Sequence, residues 1–181
     1  MKKIIIFGLI VVAATATLAC APASFAQPYG KGPYNTTVPY GDLTSLSIAT
    51  SGSINIPITP TSEGVQATGT GTVTVTSTDV NGYKLYIRAL NSTNMDNNGA
   101  LLPTSANLTP ASLAVNTWGY NTDASNNFVG ITTSDTLIRS IAAPTSTGSM
   151  TTITYGMKLD LTKTAGNYTT MVVYTAVPQT D

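Results

Sequence analysis

Residues able to make or break bonds are scarce in this sequence. It has no histidine, a single cysteine (Cys20), and totals of eight basic and eight acidic residues in 181. Without imidazole a Ser-His-Asp triad cannot be assembled, and neither can the zinc sites built on His and Cys. Two carboxylates converging in space would still suit glycoside hydrolysis. The aspartates and the one glutamate, Glu63, fall nearly all in loops or on polar strand faces, as solvated surface charge does. No glycine-rich loop follows a strand and opens a helix, so nucleotide binding has no support. No catalytic residue and no cofactor are expected.

Two weaker constellations remain. Asn94-x-Asp96-x-Asn98-Gly99 spaces oxygen ligands like the start of a calcium loop. Its first position is an amide, and Ser105 stands at the twelfth, where a bidentate Glu belongs, so an ordinary Asx-turn loop is the better reading. Asn121-x-Asp123-x-Ser125 is a fainter version. Lys84 and Lys158 lie among apolar neighbours, where a lysine, an asparagine and an acid can form a spontaneous Lys–Asn cross-link. Outer-face lysines that merely snorkel are the simpler account, and an unshifted intact mass would rule the cross-link out.

The elements that must position these groups read as strands. In Gly69–Leu90, Val73 and Val75 alternate with Thr72, Thr74 and Thr76. After Ser77–Gly82, Tyr83, Leu85, Ile87 and Ala89 alternate with Lys84, Tyr86 and Arg88. That is the period of two of a half-buried strand, and a one-residue slip would turn the apolar set to water. Leu43–Ala49, Ser53–Ile58, Ser112–Tyr120, Phe128–Ile131 and Thr136–Ile141 are further strands. In Thr152–Leu161, residues Ile153, Tyr155, Met157, Leu159 and Leu161 share a face. Tyr168–Val177 is apolar on both faces and belongs mid-sheet. Pro57 points to an edge or a strand end, Thr61–Gly69 and Asn91–Thr104 to loops, and Ala142–Ser149 to a connection. Trp118 should cover one end of the core, its indole N–H needing an acceptor. Helical periodicity is absent beyond the N-terminus. Eight to ten short strands with turns every ~8–12 residues indicate an all-β fold, an antiparallel β-sandwich or jelly roll.

Three regions are expected. Residues 1–26 read as a secretory signal peptide: Lys2 and Lys3, the apolar run Ile4–Ala16, and Ser24-Phe25-Ala26 before Gln27. A retained anchor and lipidation at Cys20 are the rival readings. Residues 27–42 carry Pro-Tyr three times and form a Pro/Gly/Tyr-rich linker, with a sticky arm through Tyr29, Tyr34 and Tyr40 as the alternative. Residues 43–178 form the sandwich domain. Cleavage after Ala26 leaves six basic residues (8 − 2) against eight acidic, a net of −2. Nucleic acid is not an expected partner on that balance, and no membrane insertion is expected after cleavage. Charged residues are 9% of the chain, against about 25% in typical soluble domains. Thr, Ser and Asn take the polar positions instead. Leu102-Pro103-Thr104-Ser105 echoes a sortase signal but is internal, so covalent wall attachment is not expected.

The sequence also resembles known proteins. Val73-Thr74-Val75, Asn81-Gly82-Tyr83, Thr117-Trp118-Gly119-Tyr120, Ile153-Thr154-Tyr155-Gly156 and Ala165-Gly166-Asn167-Tyr168 through Val173-Tyr174-Thr175-Ala176 together resemble secreted surface β-proteins of ultra-small candidate-phyla bacteria. The order is a distant likeness of the WxL cell-wall-binding domain. The first WxL motif would fall on Trp118-Gly119-Tyr120, with Tyr in place of Leu. The second would fall on Tyr168, Val172, Val173, Tyr174 and Ala176. The resemblance implies non-covalent attachment to peptidoglycan, with Trp118, Tyr120 and Tyr174 as wall-contact candidates; core and rim packing is their alternative role.

The expected function is that of a secreted, non-enzymatic cell-surface structural or adhesive protein, a fibre or surface-layer subunit in its sharper form. The alternatives are a WxL-like peptidoglycan-binding module and a carboxylate-pair glycan hydrolase. Expected partners are cell-wall glycan or a neighbouring surface protein, including a second copy of the chain.

Overall fold

Threonine and other β-branched residues fill the polar and apolar sides of the alternating segments alike, which suits a pleated, half-buried surface. The computed structural model describes residues 6–16, 45–78 and 81–179. It contains β1 (Ile6–Ala16), β2 (Leu46–Thr50), β3 (Ile54–Ile58), β4 (Val65–Ser77), β5 (Tyr83–Ala89) and β6 (Met95–Asn97). The chain continues through β7 (Ala100–Leu102), β8 (Thr117–Asn121), β9 (Thr136–Ile141), β10 (Thr145–Leu159) and β11 (Asn167–Pro178). No helix occurs among the described residues. One sheet has the order β3-β1-β11-β5-β9, with β6 and β7 attached through β11; the other runs β2-β4-β10-β8. The protein is an all-β, sandwich-like fold. Its strand pairs are antiparallel except β1 with β11, which is parallel.

The core lies between the sheets. Ile54, Ile56, Leu85, Ile87, Val172 and Tyr174 come from one sheet; Val73, Val75, Trp118, Ile153, Tyr155 and Met157 come from the other. The alternation in Gly69–Leu90 is therefore real, but its halves do not form a hairpin. β4 and β5 sit in opposite sheets, and the connection between them crosses the sandwich. Asp79 and Val80 of that connection lie outside the described residues, as do the linker 27–42 and the expected cleavage site.

Several boundaries differ from the sequence reading, each for a local reason. β4 begins at Val65 rather than after Gly69, because Val65–Thr68 extend the ladder against Gly156–Leu159 of β10. β10 begins at Thr145, inside the expected connection 142–149, at the cost of a register shift between Thr145 and Ser149. The expected loop 91–104 contains the hairpin of β6 and β7. Ser112–Asn116 is not strand. Asn116 has φ 63°, and its side chain bonds Asp160, donating from Nδ2 to Oδ1 at 3.0 Å and accepting from the Asp160 N–H at 3.2 Å. Phe128 and Val129 make only isolated bridges. Leu161, expected inside, is 53% exposed, because β10 stops at Leu159 and Asp160 turns the chain by accepting from the Thr162 N–H at 2.9 Å. Two expectations hold in detail: β11 is interior to its sheet, and β3, which carries Pro57, is at the edge.

Phe128 lies across Gly156, where a Cβ would come within 2.6 Å of the ring. Gly156→Ala should therefore overpack this contact and lower stability by about 1–3 kcal/mol. The urea midpoint should fall with an unchanged slope; an unmoved midpoint would mean that the ring is free to shift.

Candidate functional site

Each residue singled out by its chemistry now has a place. Asp96 opens the β6–β7 turn, where its Oδ1 accepts from the Gly99 N–H at 2.9 Å. Asn98 (φ 52°) and Gly99 (φ 92°) supply the left-handed conformations the turn demands. Asn94 donates its backbone N–H to Ser92 Oγ at 3.1 Å. The Asn94-x-Asp96-x-Asn98 spacing thus serves a tight hairpin. Among the described residues no three His, Cys, Asp or Glu side chains gather as a metal site. Asp123 makes a similar turn, accepting from the Ser125 N–H at 3.0 Å, and that bond holds its carboxyl below the usual range. Asp160 is held low by hydrogen bonds from Thr162 and Asn116. Asp135 faces Arg88 at 3.5 Å. These acids are occupied with turns and one surface ion pair. Lys84 is exposed on the outer side of β5, and Lys158 is half-buried on β10.

Trp118, Tyr120 and Tyr174 are 0%, 4% and 2% exposed. The Trp118 indole N–H donates to the Thr93 carbonyl at 3.0 Å, and its ring lies tilted by 31° against Tyr155 at 6.4 Å between centroids. The hydroxyls of Tyr155 and Tyr174 share a hydrogen bond of 2.5 Å across the core. Burial pushes the pKa of Tyr155 well above its ordinary value, with Tyr174 adding to the effect, and burial raises Tyr174 and Tyr120 too. These rings present no face on which a surface glycan can stack. Their burial supports the core role.

A shallow cleft of about 450 Å³ opens beside β8 and β9, lined by Asn107, Tyr120, Asn121, Asp123, Leu137 and Ile138 among others. Asp123 is its only carboxylate, so it does not supply the acid pair that glycoside hydrolysis requires.

The unusual feature lies at the opposite edge. β1 pairs with β11 over ten residues, Phe7↔Asn167 to Ala16↔Ala176, and with β3 over five, Ile6↔Ile58 to Ile10↔Ile54. Neither ladder has a register shift. Among the described strands, β3 has no other ladder partner, although Ile54, Ile56 and Ile58 are all core residues. Residues 6–16 thus complete the sheet. In the sequence this apolar run carries the pattern of an export signal, and apolar runs do not distinguish a buried strand from a helix by periodicity alone. Its β-branched Ile and Val content was the available clue. No protein-family model matches the chain, and no curated protein sequence matches it.

The tyrosine pair yields a test. Tyr155→Phe leaves the Tyr174 hydroxyl buried without its partner and should cost about 1–3 kcal/mol. Tyr155→Phe with Tyr174→Phe should recover most of that loss in a double-mutant cycle. In the native chain the folded pair keeps its protons while unfolded tyrosine ionises near pH 10. The pair's contribution is therefore complete below about pH 10 and declines as pH rises above it. Alkaline unfolding curves should show this decline and lose much of it in the double variant.

Proposed function

We propose that this chain is a secreted, non-enzymatic surface protein, structural or adhesive, which works through the edges of its sheets as a fibre or surface-layer subunit. The observation that carries this reading is β3, a strand rich in core residues whose ladder partner is the segment read as an export signal. A sheet that needs an added strand is the starting point for assembly by β-augmentation. The hydroxyl-rich polar positions and the low share of charge, 9%, agree with a protein whose task is contact. So does the use of Asp96, Asp123 and Asp160 in turns.

Location and assembly test the proposal together. Immunogold labelling with an antibody to this chain should mark the cell surface, and negative-stain images of cell-surface extracts, which retain its partners, should show it in ordered assemblies. Label confined to the cell interior, or monomers alone, would contradict it. Purified peptidoglycan should not retain the protein. Retention of the folded native protein would favour the WxL-like wall-binding alternative.

A further inference from the structure

We propose that the slot between β3 and β11 is a peptide-binding site of the processed chain. It takes one extended, proline-free aliphatic segment of another polypeptide, running parallel to β11 and antiparallel to β3. This rests on the reading of residues 1–26 as a signal removed on export.

Removal of β1 leaves β3 and β11 about 9–10 Å apart, twice the usual spacing of about 4.8 Å between strands. Both flanking strands then turn backbone N–H and C=O groups toward a gap the width of one strand, and buried groups of this kind need partners. The gap does not close cheaply. β3 is seated on β4 through Gly69, where a Cβ would stand 2.8 Å from both Ile54 and Ile56. β11 is fastened on its other side to β5 over seven pairs, Val172↔Ala89 to Pro178↔Tyr83.

The register defines the guest. Paired residues on neighbouring strands share a face, and the core-facing positions of β11 are Tyr168, Val172, Tyr174 and Ala176. Their partners in β1 are Gly8, Val12, Ala14 and Ala16. A fitting guest therefore has small residues in register with the two tyrosines and an aliphatic residue between them. The linker 27–42 does not match. Pro28, Pro33 and Pro39 interrupt it, and a strand paired along both edges has no place for a residue lacking its N–H. The chain's own β2 is already in a ladder with β4, and β3 is itself one wall of the slot. The guest must come from a different polypeptide.

The probe is a synthetic peptide of Ile6–Ala16 with added lysines for solubility, titrated into the processed chain 27–181. It should bind at one to one and raise the melting temperature with increasing peptide, and the same peptide carrying Val11→Pro should not bind. If the processed chain fails to fold alone, refolding with the peptide should restore it, and the Val11→Pro peptide should not. A folded monomer that ignores the peptide, or an unfolded chain the peptide does not rescue, overturns the proposal. Assemblies of 27–181 that the peptide cannot dissolve, and that vanish when residues 27–42 are deleted, would give the slot to a second copy instead and overturn the choice of guest. N-terminal sequencing of the exported protein separates the underlying reading from the inference: a start at Gln27 supports signal removal, whatever the peptide does.

Discussion

A β-strand contributes to a fold only if its backbone groups find partners, and β3 finds its partners in residues 6–16. This constraint shapes one whole side of the sandwich. Ile54, Ile56 and Ile58 reach the core from a strand of five residues, too short to be stable without a ladder. β11 is apolar on both faces from Val172 to Tyr174 because it lies inside the sheet, with β1 on one side and β5 on the other. Completion of the sheet and filling of the core are one event on this side.

The opposite side is built to close without help. β4 and β10 pair over most of their length, and β8 adds Trp118 and Tyr120 to the core from the edge. Two polar contacts inside the sandwich are matched: the indole of Trp118 with the Thr93 carbonyl, and the hydroxyls of Tyr155 and Tyr174 with each other across the sheets. Such matched pairs fix the relative position of the sheets, since either partner alone would be a buried unsatisfied group. The two sides differ in this: one closes on its own strands, and the other is completed by residues 6–16, which is the feature the proposed function rests on.

Much of this was legible in the sequence. Period-two alternation located the core residues Val73, Val75, Tyr83, Leu85, Ile87, Ile153, Tyr155 and Met157, because sheet burial is written in every second position. Pro57 pointed to an edge or a strand end for want of an N–H, and β3 is at the edge. What the sequence concealed were facts of pairing. That β4 and β5 face each other across the core, instead of forming a hairpin, depends on which strands they meet later in the chain. Local bonds also overrode alternation: Asn116 with Asp160 delayed β8, and Asp160 with Thr162 put Leu161 outside. The site was hidden most completely. An apolar run near the N-terminus suits both an export signal and a central strand, and only the register with β3 and β11 distinguishes the second use.

Amide hydrogen exchange compares the two forms of the chain most directly. With residues 1–26 present, the amides of Ile54–Ile58 that face residues 6–16 should be protected as well as those of Tyr83–Ala89. In the chain that begins at Gln27, the same amides of Ile54–Ile58 should exchange at the rate of the loops while Tyr83–Ala89 stay protected. Equal protection of these amides in both forms would contradict the account, because β3 would then have a partner other than residues 6–16.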